Sequence, residues 1–285
     1  MSVVNTNISA SVAQAALARN DRALGTAMEQ LSTGRKINSA ADNASGLAIS
    51  TRMTSQIRGL DQSVRNANDA ISMVNTAEGA LDEITDMLQR MRELAVQSGT
   101  GTTSTNDRVF LDAEYDHLVA EIERVSANTE WNGRAILAGA AGGAATVSGV
   151  TYQVGMDPSQ TIAVDFGNMA SDATMASLNG FGLDATTIAS AIAKSSRVIV
   201  AADLAIEAVS TQRATFGAVS NRLEHSVDNL TNVMTQAEAS RSRILDTDYA
   251  ASTSELARTQ IIQQAGTAML AQANQLPATV LALLT

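Results

Sequence analysis

The sequence predicts a mainly α protein: a long antiparallel helical bundle, a coiled coil made from the two chain ends, and a small central β-hairpin region. Three observations carry this. Apolar residues recur every seventh position in separate blocks, the spacing that keeps one seam of a helix against a partner. Proline occurs only at Pro158 and Pro277, so almost nothing interrupts helices. Between about 139 and 195 the pattern stops and Gly, Ala, Thr and Ser take over.

The elements follow in order. Val3, Ala10, Leu17, Leu24 and Leu31 lie seven apart, with Met28 in the last turn, and predict a helix at the amino end. The stretch LSTGRKINSAADNASG, 31–46, carries turn formers and no heptad. Leu60, Ala67, Val74, Leu81, Leu88 and Ala95 predict a long second helix. Leu111, Tyr115, Leu118, Ile122 and Val125 alternate steps of four and three and predict a third. In the centre, Val147, Val150, Tyr152 and Val154, then Ile162, Val164 and Phe166, alternate as two strands of a hairpin around Asp157, Pro158 and Ser159. The other reading of this stretch is an open Gly/Ala loop, which GAAGGAA at 139–145 would suit. Val209, Phe216, Leu223, Leu230 and Ala237 predict a return helix, SRILDTDYAAS at 242–252 a second break, and Ile262, Met269, Leu276 and Leu283 a terminal helix. Asp246 and Asp248 read as a helix-break pair.

The two breaks lie at similar distances from their own ends, which pairs the first helix with the last. Residues 3–31 against 256–283 offer Ala-rich seams, and the remaining face of the last helix still carries Ile261, Leu270, Val280 and Leu284. A fully buried Leu or Ile contributes about 1.5–3 kcal/mol. A lone pair of terminal helices would leave much of that unrealised, so further copies of the same pair are the expected cover. The predicted layout is an inner coiled-coil layer from 1–43 and 245–285, an outer bundle from 44–138 and 196–244, and a short β-rich variable segment, 139–195.

Composition excludes several classes. Asp plus Glu number 29 against 19 Lys plus Arg, net charge -10, which argues against nucleic acid or an anionic lipid surface as a partner. Cysteine is absent, which removes disulfides, thiolate zinc sites and thiol nucleophiles. No stretch reaches the roughly 20 apolar residues that span a bilayer, and the amino end lacks the basic-then-apolar run of a cleaved signal. His117 and His225 stand alone, no GxSxG or phosphate loop is present, and no enzyme, metal or cofactor is expected.

Several blocks in order resemble bacterial flagellin. They are Asn5 to Ser9, LSTGRKINSAADNASG, RNANDAIS at 65–72, EGALDEI at 78–84 and LQRMRELAVQS at 88–98, then RATFGAVSNRL at 213–223, ASRSRILDTDYA at 239–250 and ARTQIIQQAGTAMLAQANQLP at 257–277. The resemblance implies a structural subunit that polymerises into the flagellar filament for swimming motility, outside the cell, exported unfolded through the type III apparatus without signal cleavage. Its implied partners are other flagellin copies, the export apparatus, a chaperone, and cap and junction proteins. About 57 residues separate the helical halves, so this looks like a short form with little or no outer domain.

The residues expected to make the self-assembling inner layer are Leu17, Leu24, Leu31, Ile262, Met269, Leu276 and Leu283. In QRMRELAVQ, 89–97, the three-and-four spacing puts Arg90, Leu94 and Gln97 on one helix face and turns Arg92 and Glu93 away. With Glu114 they match the flagellin stretch that serves as an axial contact and as the epitope of vertebrate Toll-like receptor 5 on released monomer. Two rival readings are the hook-filament junction protein, which shares the terminal coiled coils, and a surface adhesin, for which 139–195 offers no stacked aromatics. SGTGTTST at 98–105 and Thr186, Thr187 and Ser190 are candidate O-glycosylation acceptors.

Overall fold

The computed structural model describes residues 7–138, 149–169, 177–180 and 182–282, with side chains to 275. Its order is α1 (Ile8–Thr33), α2 (Ala44–Ser98), α3 (Thr105–Asn128), β1 (Glu130–Trp131), β2 (Arg134–Ala135), β3 (Gly149–Gln153), β4 (Thr161–Asp165), α4 (Ile188–Leu245) and α5 (Tyr249–Ala282). The chain divides into two compact units, 1–57 with 235–285, and 58–234.

In the terminal unit the helix ends are set by local polar chemistry. Asn7 caps α1 by accepting from the Ala10 N–H, and α1 stops at Gly34, whose φ of +69° is left-handed and suits a residue without Cβ. Asp248 caps α5, accepting from the N–H groups of Ala250 and Ala251 at 2.9 and 3.2 Å. The two breaks then join: the Lys36 N–H donates to the Leu245 carbonyl and the Thr247 N–H to that of Gly34. Between Gly34 and Ala44, Asp42 accepts from the backbone N–H groups of Ser39 and Asn38, which hold its carboxyl below the usual range. Helix α1 packs along α5, as the symmetry of the breaks predicted.

The unit 58–234 has the thick core. Every residue of the heptad from Leu60 to Ala95 is buried, none more than 4% exposed. Val209, Phe216, Leu223 and Leu230 are buried on α4, and Tyr115 and Ile122 on α3. Arg92 of α2 pairs with Asp203 of α4 at 2.7 Å while Asp82 pairs with Arg213 at 2.9 Å, so the two helices run antiparallel. Phe166 meets Phe216 with centroids 5.5 Å apart and planes tilted by 56°, a favoured aromatic geometry.

The expected hairpin is present as β3 and β4, antiparallel with Val150 opposite Val164 and Tyr152 opposite Ile162. Ile162 and Val164 face the core while Thr161, Ala163 and Asp165 face out, the period-two pattern of a half-buried strand. Val147, expected in the first strand, lies outside the described residues. Tyr152 donates its hydroxyl to the Met73 sulfur at 2.7 Å, and burial pushes its pKa up to about 12. A second hairpin, β1 with β2, turns on Asn132 and Gly133, both with positive φ. The dipeptide Asn-Gly is a strong signal for such a turn, and the heptad reading passed over it.

Leu178, Leu183 and Asp184 lie against α3, and Leu183 also against the end of α2. Leu178 and Leu183 are buried, Tyr115 donates to the Leu178 carbonyl at 3.0 Å, and Asp112 accepts from the backbone N–H groups of Leu183 and Asp184. Burial, then Asp112, raises the pKa of nearby Asp116.

Candidate functional site

Two surfaces carry the residues singled out above. The first is the terminal helix pair. Its seam on α1 runs through Ala10, Ala13, Leu17, Asn20, Leu24, Ala27 and Leu31, of which Asn20 and Ala27 are buried and the rest half-buried. On α5 it runs through Ser252, Leu256, Thr259, Gln263, Gly266, Leu270 and Ala273. Both series alternate steps of three and four.

The seam mixes five leucines with small and polar residues. Asn20 donates its amide to the Thr259 carbonyl at 2.8 Å, Asn7 to that of Ala273 at 2.8 Å, and Gln263 to the Asp21 carboxylate at 3.0 Å. Gly266 makes a close approach: a Cβ there would stand 2.7 Å from the Leu17 Cδ2, so the Leu17 side chain would have to shift. A polar residue at a coiled-coil core position specifies register at a cost in stability, and here two amides thirteen residues apart on α1 mark it.

Leu17, Leu24 and Leu31 therefore lie on the seam, but Ile262 and Met269 do not. They are 44% and 65% exposed, while Leu270, expected on the outer face, packs inward. The predicted seam was one position out of phase. Apolar residues occur nearly all round α5, so hydrophobic spacing alone left its phase undetermined; the amide bonds and the Gly266 clearance choose it. Leu276 lies within α5 with its side chain outside the described residues, and Leu283 lies outside them altogether. Ile8, Val12 and Met28 of α1 and Ile261 of α5 are also exposed. No Asp, Glu, Lys or Arg occurs in 1–18 or 259–285, a signal the heptad reading did not use.

The second surface lies on α2 and α3. Arg90 donates to Glu114 at 2.8 and 2.9 Å and to Glu93 at 3.1 Å. These two carboxylates, Glu114 first, raise the guanidinium pKa. Glu93 thus turns toward Arg90, not away, because i and i+3 are neighbours on a helix. Gln97 is exposed, but Leu94 is fully buried in the core. The expectation that Leu94 shares the open face fails because α3 and α4 close over that side of α2. The most exposed of the large apolar residues on these two helices is Phe110, one turn before Glu114 and 73% exposed, with Val96 and Val109 about half exposed. It sits outside the Leu111, Tyr115, Leu118 seam, which was the signal for it.

Local bonds hold this corner. Ser104 and Asp107 form a capping box at the start of α3. Arg108, 2% exposed, donates to the carbonyls of Ser98 and Thr100 at 3.1 and 3.3 Å, capping the C-terminus of α2 with positive charge. Of the candidate glycosylation acceptors, Thr187 and Ser190 bond each other at the start of α4. Among the described residues no group of His, Cys, Asp and Glu could hold a metal ion, and no helix is long and apolar enough to cross a membrane.

Residues 4–141 match the bacterial flagellin N-terminal helical region and residues 199–284 the bacterial flagellin C-terminal helical region. The chain belongs to the bacterial flagellin family. A flagellin of Halalkalibacterium halodurans is 44% identical over 283 residues, 99% of each chain. The flagellar filament 33 kDa core protein of Treponema phagedenis is 38% identical over 286 residues, again 99% of each. The crystal structure of Bacillus cereus flagellin superimposes with a TM-score of 0.48 at 29% identity, covering 58% of this chain and 88% of that one. As a short-form member of this structural family, the chain is a subunit of the extracellular flagellar filament, polymerised with other flagellin copies. None of these matches favours the hook-filament junction protein.

Proposed function

We propose that the chain assembles through its terminal helix pair, with 1–43 and 245–285 forming the inner layer of the filament, 44–138 and 196–244 the outer bundle, and 139–195 the short variable segment. The observation that carries this reading is the inside-out character of the pair. Its seam interleaves leucines with small and hydrogen-bonded polar residues, whereas Ile8, Val12, Ile261, Ile262 and Met269 stand outside it on charge-free stretches. Exposed contiguous apolar surface marks an interaction site. Identical copies that bury it by head-to-tail contacts form an open helical polymer. Leu17, Leu24 and Leu31 act indirectly, holding α1 on α5, while Ile262 and Met269 face neighbouring copies; Leu276 and Leu283 complete the proposed self-assembly set. Negative-stain electron microscopy of the seeded full chain, beside a version lacking 256–285, tests this. Filaments from the full chain alone are expected; filaments from both would refute it.

The α2 and α3 surface serves, on this reading, as the axial contact between copies and as the epitope for Toll-like receptor 5 on released monomer. The Arg90 and Glu114 pair, with Gln97 beside it, supports the proposal. Leu94, buried in the core one turn after Arg90, acts there only by supporting the helix. Pure monomer is expected to activate receptor reporter cells, and a Glu114→Ala variant to do so at least about tenfold less, the loss expected for one charge-assisted contact. An unchanged response would remove Glu114 from the epitope. Export through the type III apparatus without signal cleavage, with a chaperone and with cap and junction proteins as partners, completes the proposal. An intact amino terminus on secreted chain is its check.

A further inference from the structure

We infer that Met269 is an oxidation site through which peroxide controls assembly of the free subunit. This rests on the proposed reading that other copies cover the outer face of α5. Cysteine is absent, so methionine supplies the chain's only oxidisable sulfur. Nine of the eleven methionines lie among the described residues, and Met269 is the most exposed of them, at 65%. Met73, Met91 and Met169 are buried in the core of the 58–234 unit.

Position makes Met269 different from the other exposed methionines. It stands seven residues after Ile262, also exposed, on a helix stretch with no charged residue from 259 onward. Such a surface can be covered by a neighbour without stripping water from any charge. Met28, on a helix that carries Arg19, Asp21, Arg22 and Glu29, has no comparable charge-free stretch around it, and Met156 lies in the turn between β3 and β4.

The chemistry is a two-electron oxygen transfer. The thioether sulfur attacks one oxygen of hydrogen peroxide, the S–O bond forms as the O–O bond breaks, and the peroxide is reduced to water while Met becomes methionine sulfoxide. The product is polar, and a sulfoxide at an apolar contact disrupts it. Because the adjacent Leu270, not Met269, packs on α1, the helix pair itself survives. Oxidation therefore removes assembly without unfolding the subunit, and assembly in turn shields the sulfur.

The experiment treats full-length subunits with hydrogen peroxide, locates added oxygen by peptide mass spectrometry, and measures seeded polymerisation by sedimentation. Subunits oxidised at Met269 should keep their circular dichroism and need about tenfold more protein to polymerise, the effect of burying one poorly satisfied polar group. Met269→Leu, close in volume and without sulfur, is compared with itself before and after peroxide, and its own polymerisation threshold should not move on treatment. In intact filaments Met269 should oxidise several times more slowly than in free subunits, a comparison made on the natural chain that decides alone if the Leu variant does not assemble. Normal polymerisation of Met269-oxidised subunits, equal sensitivity of Met269→Leu, or equal oxidation rates in filament and subunit would each overturn the inference. Absence of filaments from untreated chain is a different result, and overturns the assembly reading beneath it.

Discussion

The heptads of α2 and α4 and those of the terminal helices look alike as letters, yet they do opposite things. In the 58–234 unit the seventh-residue positions are all apolar and mostly large, and Leu60, Leu81, Leu88, Val209 and Phe216 are all buried within one chain. In the terminal pair the buried positions include Asn20, Ala27, Thr259 and Ala273, and the bulky Ile261, Ile262 and Met269 are left outside. The bundle spends its hydrophobicity on its own fold. The terminal pair keeps its own for neighbours and marks its internal register with amides, which suits a segment whose packing completes only on assembly.

The largest expected effect that would break this contrast is at the outer face. Ile262→Asp should abolish polymerisation, because a carboxylate buried between copies without a partner costs several kcal/mol. The same change should leave the unfolding midpoint of the bundle unmoved. Electron microscopy and denaturant melts of the one variant read both; normal filaments would erase the distinction between the two regions.

Next in size is the bundle core. Leu88→Ala, at a fully buried position, should cost about 2–5 kcal/mol in the 58–234 unit, seen as a lower midpoint in urea, with the terminal pair unaffected. A loss below about 1 kcal/mol would mean that the heptad of α2 is not the tight core described above.

The smallest effect sharpens the comparison within the terminal pair. Asn20→Val removes the bond to Thr259 and should cost only about 1 kcal/mol, while releasing the register. Spin labels at exposed Arg19 and Ile262 should report one distance in the natural chain and a spread of distances in the variant. A single unchanged distance would assign register to Gly266 and Leu17 alone.

Much of this architecture was written in one-dimensional pattern. The heptads of α2 and α4 were legible because their apolar positions stand out against polar neighbours, so only one phase buries them. Hairpin β3–β4 was legible from its alternation, and Asp248 as a helix break; the caps Asn7 and Ser104, short polar side chains before apolar runs, were passed over. Asn132-Gly133 was equally legible and was overlooked. Phe110 and the contact between Glu93 and Arg90 follow from the helical spacing once the seam of α3 is taken into account.

By itself, then, the sequence determined the helices, their breaks, the hairpin, the pairing of first helix with last, and the family. Tertiary structure alone decided two things. One is that Leu94 is core and not surface, because only the packing of α3 and α4 shows how many sides of α2 are covered. The other is the phase of α5: from 259 onward it carries no charge and has apolar residues on nearly every side, so burial energy hardly distinguishes one rotation about its axis from the next. The directional bonds of Asn7 and Asn20 and the missing Cβ of Gly266 select the rotation that turns Leu270 inward and leaves Ile262 and Met269 facing out.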